Sequence, residues 1–345
     1  MIESLTVENY RSFENYSLAS LKRINLLTGY NSAGKSSLLE AVEILGSGGE
    51  PQTLLNISKR RQEYLLESDG VGGDISHFFS ERNLRSVIRI GSPALKISLS
   101  YVLADTESPS EKADLIIVDR AAPGLEVPRI HIPVSDQGGF GLRSRRSRWG
   151  GSPSDDKTFG KVEYQGTREL ENAKVAELWD EVLFSRSEHE PADSLRILDD
   201  RVESVAFLSS SPDRGRLHVG LKDAKRLTPI GSHGEGMQRL LMLAILLTTV
   251  KGGILLVDEI DTGLHYSVLA DMWKLVIATA IKNDIQVFAT THSLDCLRGL
   301  NEVCQANPEF ASEISLQTID RNLTQSIDTD AEGLAVSLAM GIEVR

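Results

Sequence analysis

The sequence predicts an α/β protein with a mixed or parallel core sheet, an antiparallel β subdomain and a small helical insertion. Three observations carry this. Short apolar runs, Ile254-Leu255-Leu256-Val257 and Val287-Phe288-Ala289, alternate with helical periodicity over 205–345, as expected for strands buried on both faces of a parallel sheet. Arg23-Ile24-Asn25-Leu26-Leu27-Thr28 reads as another buried strand, joined by a glycine-bearing loop to a helix over 37–45. Val87-Ile88-Arg89-Ile90 and Leu95-Lys96-Ile97-Ser98-Leu99 flank Gly91-Ser92-Pro93 and read as a β-hairpin.

The remaining elements follow in order. Residues 2–7 open as a strand, because Leu5 and Val7 alternate with polar residues. Tyr10-Arg11-Ser12-Phe13 leads into a second strand near Tyr16-Ser17-Leu18. After the loop helix, 46–73 is polar and glycine-bearing. Leu115 to Val118 and Ile130 to Val134 extend the antiparallel sheet. The pattern breaks down over 135–165, where Arg143, Arg145, Arg146 and Arg148 sit among glycines and serines, and a long loop is expected. Helical periodicity returns over 167–184, with a second helix expected near 194–205 and no sustained heptads. These readings divide the chain into an N-terminal lobe (1–134), a variable basic loop with a helical insertion (135–204) and a C-terminal lobe (205–345).

The chain has 345 residues, 41% hydrophobic and 25% charged, enough to bury a full core. Its net charge is −12, so any nucleic-acid contact must come from a local basic patch. Cys296 and Cys304 lie on one predicted helix, about 12 Å apart by the helical rise, too far for a mutual disulfide. The N-terminus lacks a signal-peptide pattern, and the longest apolar run, Leu240 to Leu247, is too short to cross a bilayer. A cytoplasmic protein with no membrane partner is expected.

Five motifs carry chemistry. Gly29-Tyr30-Asn31-Ser32-Ala33-Gly34-Lys35-Ser36 fits G-x-x-x-x-G-K-[ST] between a strand and a helix. Such a loop turns backbone N–H groups toward one centre at a helix N-terminus, a phosphate site. Asn31, Ser32, Ala33, Gly34, Lys35, Ser36 and Ser37 are the candidate ATP contacts, with Lys35 on the β- and γ-phosphates and Ser36 on Mg²⁺. Asp258 and Glu259 end a buried strand, where open α/β sheets place their ligands. Asp258 is the second candidate Mg²⁺ holder, and Glu259 the group that orients water and accepts its proton. His292 ends the strand from Gln286, where a neutral imidazole can donate to a γ-phosphate. Ser232-His233-Gly234-Glu235-Gly236-Met237 precedes a helix over 238–250, an anion site or a simple cap with Ser232 as N-cap. Asp261-Thr262-Gly263-Leu264-His265 reads, on its own, as a turn.

In this order the motifs resemble the ABC-type ATPase head, in the branch of SMC and RecF proteins. Tyr10-Arg11-Ser12-Phe13 is also similar to that branch, and the resemblance implies that Arg11 touches nucleotide phosphate. Gly234 to Leu241, Asp258 to Tyr266 and Ala289 to Ser293 look more closely like bacterial ABC-like ATPases filed under the AAA name, kin of the ATPase half of the OLD nucleases. The resemblance covers about 1–50 and 205–345. It implies an ATPase with ATP and Mg²⁺ that forms a homodimer or higher oligomer through its ATP sites. Ser232 and Gly234 would then face the partner's nucleotide. Three features depart from the pattern. The signature reads Ser-His-Gly-Glu-Gly. No Mg²⁺-sensing glutamine is found, the nearest region being Gly73 to His77. No Toprim nuclease segment follows within 345 residues, so a nuclease is expected as a separate polypeptide.

Two readings follow. In the first, the protein is an ATP switch that dimerises head to head and regulates a separately encoded effector, with a nuclease in phage defence as the effector that the resemblance implies. In the second, it is a RecF-like DNA-binding repair ATPase that uses arginines 143–148, a segment equally readable as a solvated loop. DNA binding by the chain alone is expected to be weak. A decayed scaffold is disfavoured because Lys35, Ser36, Asp258, Glu259 and His292 are all present. A transporter ATPase is disfavoured by the Arg11 motif and by the missing Leu-Ser-Gly-Gly-Gln.

Overall fold

Strands with no polar face set the architecture. Ile24–Thr28, Gln286–Thr290 and Ile254–Val257 are buried along their whole length, so each must have cover on both sides. In a computed structural model they lie in one sheet, whose order is Val162–Gln165, Ile254–Val257, Gln286–Thr290, Ile24–Thr28, Ile314–Thr318 and Ile327–Thr329. The structure describes residues 1–67, 70–103, 115–123, 125–126, 129–134, 139–140, 159–167, 170–208 and 216–340.

The chain forms two compact units. The first comprises 1–21, 31–160 and 319–328, and the second 22–30, 161–318 and 329–345. The boundary falls inside the glycine-bearing loop, after Tyr30.

In the first unit Leu5–Tyr10 pairs antiparallel with both Phe13–Leu18 and Ile88–Gly91. The expected hairpin is present, with Ile90 opposite Ile97, and Leu115–Ala122 and Ile130–Pro133 continue the sheet. Helix α1 (Lys35–Gly46) follows the loop. The polar, glycine-bearing stretch after it contains helix α2 (Pro51–Arg61), for which no element is expected from the sequence. Pro51 starts α2, Leu54, Leu55 and Ile57 bury one face, and Gln62 ends it in a left-handed conformation.

The second unit carries the parallel sheet. Helices α3 (Asn172–Phe184), α4 (His189–Leu195), α5 (Glu235–Thr249), α6 (Leu269–Lys282), α7 (Leu294–Ala306) and α8 (Ala331–Ala339) belong to it. Its core joins α3, α5, α6 and α7 to the sheet through residues such as Trp179, Leu241, Trp273 and Leu300. The helix expected near 194–205 is not observed. Helix α4 stops at Leu195, and Val202–Leu208 is a strand paired with Arg216–Leu221. The Asp199 carboxylate accepts the Arg201 amide at 3.0 Å, a local turn that competes with helix, and Val202 and Val205 are buried from the strand. Both cysteines lie on α7, unpaired and buried, and burial pushes the Cys296 thiol up to about 12. No described helix is long and apolar enough to cross a membrane.

Candidate nucleotide site

In the first unit the site begins at Gly34. It has φ 98, a left-handed conformation, and is the N-cap of α1. A Cβ there would meet Phe13 Cζ at 2.4 Å, so the Tyr10-to-Phe13 turn is packed directly on the loop. Asn31 and Ser32 are exposed, Ser32 with φ 62, while Ala33 and Ser37 are buried. Lys35 is only 5% exposed, and Ser36 is half-buried beside it at the helix start. A helix N-terminus that begins with Lys35 and Ser36 has the chemistry to hold an anion.

Arg11, which the resemblance places on phosphate, is held by carboxylates in this structure. It pairs with Glu40 at 2.7 Å and Glu63 at 2.9 Å, and its guanidinium lies 5.2 Å from the Phe78 ring centre. Burial alone would lower its pKa; Tyr10, Glu40 and Glu63 outweigh that and hold it above the ordinary arginine value. Reaching a phosphate would require Arg11 to exchange one of these partners. Arg61 reaches Glu40 at 2.6 Å, and Arg60 pairs with Glu43. The basic end of α2 therefore neutralises two buried acids of α1.

In the second unit the acids end the Ile254–Val257 strand. The Thr290 hydroxyl donates to Asp258 Oδ1 at 2.7 Å and accepts the Glu259 amide at 2.8 Å. The Tyr164 hydroxyl donates to Asp258 Oδ2 at 3.2 Å, and the Thr262 hydroxyl to Glu259 Oε2 at 3.1 Å. The Arg239 guanidinium donates to the carbonyls of Asp258 at 2.8 Å and Glu259 at 3.2 Å. Burial lowers the Arg239 pKa, against the pull of the neighbouring acids. Glu259 has φ 50, strained for a glutamate, and these bonds hold it there. His292 is half-buried just before Ser293, which caps α7 by accepting the Cys296 amide at 3.2 Å.

Ser232 is not the cap of α5. It lies in a short 3₁₀ turn, exposed, and Gly234 with φ 90 is the N-cap, without a side-chain bond. The Asp261-to-His265 segment is more than a turn. A Cβ on Gly236 would meet Gly263 O at 2.9 Å, so this segment packs on the first turn of α5, and Asp261 accepts the Thr291 hydroxyl at 2.6 Å.

The sequence reading missed Gln165. It ends the strand beside the acidic one, opposite Val257, and its carbonyl accepts the Asp258 amide at 2.8 Å. The signal was Val162-Glu163-Tyr164-Gln165, a short half-buried alternation hidden behind the arginine-bearing stretch. The region proposed for a glutamine, Gly73 to His77, ends a strand of the first unit and begins a 3₁₀ turn. Arginines 143–148 lie outside the described residues.

Residues 24–297 match the family described as "AAA domain, putative AbiEii toxin, Type IV TA system". A protein of Helicobacter pylori named "ATP/GTP phosphatase" is 23% identical over 349 residues, covering 92% of this chain and 91% of its own. RecF of Idiomarina loihiensis, named for DNA replication and repair, is 45% identical over 47 residues, 14% of this chain and 13% of its own. An SMC head solved with the C-winged helix domain of ScpA aligns with TM-score 0.50 and 14% identity over 96% of this chain and 98% of that one. A Pyrococcus furiosus SMC head with an extended coiled coil aligns with TM-score 0.50 and 12% identity over 99% of each chain. At these identities the structural likeness concerns the fold.

Thr290→Val should remove the bridge between the two acids and leave the Glu259 amide without its acceptor. The expected cost is about 1–3 kcal/mol in denaturant unfolding, together with slower ATP hydrolysis. Wild-type stability and rate in this variant would mean that the bridge does not hold the acids.

Proposed function

The chain belongs to the AAA-domain family that matches 24–297 and is an ATPase with an ABC-type fold, and from that premise we propose that it is a nucleotide-operated switch acting on a partner protein. The observation that supports this most is the Asp258–Glu259 pair, held at a parallel-sheet edge by Thr290 and Arg239. Lys35 neutralises the β- and γ-phosphates, and the amides from Asn31 to Ser37 cradle them. Glu259 accepts the proton of the attacking water, and His292 donates to the γ-phosphate.

Hard oxygen donors fit Mg²⁺: the Ser36 hydroxyl and the Asp258 carboxylate would hold it, with substrate phosphates completing its shell. Among the described residues no group of three or more His, Cys, Asp or Glu forms a site by itself. Gln165, one step from Asp258 along the ladder, is our candidate for the Mg²⁺-sensing glutamine. Arg11 reaches phosphate on exchanging Glu63.

Two ATP-bound chains associate head to head, with Ser232 and Gly234 of each facing the nucleotide of the other across a two-fold axis. Exposure of Ser232 beside the α5 N-terminus supports this. The output is a conformational signal to a separately encoded effector, a nuclease in phage defence being the reading we favour. The family description, which names a toxin–antitoxin system, fits an ATPase that works with a partner gene product.

Lys35→Ala should weaken ATP binding by about 10- to 100-fold in calorimetry, the value of one charge-assisted contact. Glu259→Gln should keep ATP but lose hydrolysis by about 100-fold or more. With ATP and Mg²⁺ this variant should double its mass in light scattering. An unchanged mass would remove the dimer, and wild-type hydrolysis in both variants would remove the assigned roles.

The local RecF similarity supports a second reading, as a DNA-binding repair ATPase. The α2 cations weigh against it, since Arg60 and Arg61 are already paired with Glu43 and Glu40. We expect weak duplex binding that falls by about tenfold or more between 50 and 200 mM salt. A tight, salt-tolerant complex, lost when Arg143, Arg145, Arg146 and Arg148 become alanine, would make the repair reading the better one.

A further inference from the structure

We propose that the second unit holds a ligand pocket for a small, largely apolar molecule, and that its occupancy alters the rate of hydrolysis. A cavity of about 560 Å³ opens between the end of the Val162–Gln165 strand, the start of α3 and the first turns of α5. That volume is within the range of sites for drug-sized ligands, roughly 300–1,000 Å³. Val175, Leu217, Ile230 and Leu241 form a buried apolar wall. The mouth is polar, with Arg216 and Glu235 exposed. Apolar walls with a few placed polar groups are the usual composition of small-molecule sites.

Gln165 also lines the cavity and is 3% exposed, so this part of the wall is closed to water as well.

Two lining residues connect the pocket to the acids. Arg239 donates to the carbonyls of Asp258 and Glu259, and Thr262 donates to the Glu259 carboxylate. A ligand resting on these side chains biases the position of the group that accepts the proton. Such coupling is reciprocal for binding, so nucleotide must shift ligand affinity by the factor by which ligand shifts nucleotide affinity. The effect on rate rests on the role proposed for Glu259; the pocket itself does not.

The probe is 8-anilinonaphthalene-1-sulfonate, which has one N–H, two aromatic ring systems and a sulfonate. Titrated into the full chain without nucleotide, it should bind one saturable site by fluorescence. Hydrogen exchange of the wild-type chain should slow at 170–175, 216–217 and 238–242. Met242→Trp and Val175→Phe, which fill the cavity away from the nucleotide residues, should weaken the probe by about tenfold or more. In these variants, basal hydrolysis should stay within about twofold and the melting transition should be native-like. At saturation of the wild type, hydrolysis should change by about twofold or more. No saturable binding, or protection outside those segments, would overturn the pocket. Unchanged probe affinity in a folded filled variant would do the same. Saturation with an unchanged rate, in a chain that needs Glu259 for hydrolysis, would overturn the coupling alone.

Discussion

The Thr290 hydroxyl bridges the Asp258 carboxylate and the Glu259 amide, and that bridge depends on the parallel register that sets Val257 opposite Ala289. Because side chains alternate along a strand, a slip of one residue would turn Thr290 to the other face of the sheet and separate it from both acids. Both strands exchange ladder bonds with neighbours on both sides, and the polar residues at their ends, rather than their uniformly buried faces, distinguish this register from a slipped one. Arg239 adds a second restraint from α5, binding the carbonyls of the same two residues. Glu259 can hold its left-handed backbone because its amide, carbonyl and carboxylate are all fixed.

Most of this edge was legible in the sequence. Three or four consecutive apolar residues ending in acid or in Thr-Thr-His-Ser report a doubly covered strand and the polar edge at its end together. The loop before α1 was legible because its glycines and its lysine answer to one requirement, backbone donors converging on phosphate. The antiparallel hairpin at 88–102 announced itself by alternation around Gly-Ser-Pro.

Other parts were hidden for physical reasons. Helix α2 carries Lys59, Arg60 and Arg61 and reads as a polar segment, because its role is to neutralise Glu40 and Glu43 rather than to bury a wide apolar face. Those pairings are tertiary and have no sequence period. The same blindness affects Arg11, whose ion pair with Glu63 spans 52 residues. Gln165 was missed because the Val162–Gln165 strand is four residues long and half-buried, too short for alternation to stand out from the loop before it. The helix expected near 194–205 gives way at Asp199 to a turn made by a side-chain hydrogen bond, which periodicity does not register.

We propose that Lys35 and Ser36, and Asp258 and Glu259, are all required for metal-dependent turnover of ATP. The most direct measurement is electron–nuclear double resonance of Mn²⁺ bound in place of Mg²⁺, with ATP, in Glu259→Gln. Mn²⁺ is expected to bind tightly only with nucleotide and to show phosphorus-31 coupling. Adding either Ser36→Ala or Asp258→Ala should weaken that complex. Mn²⁺ held equally well with and without ATP, or a coupled complex indifferent to Asp258→Ala, would contradict it.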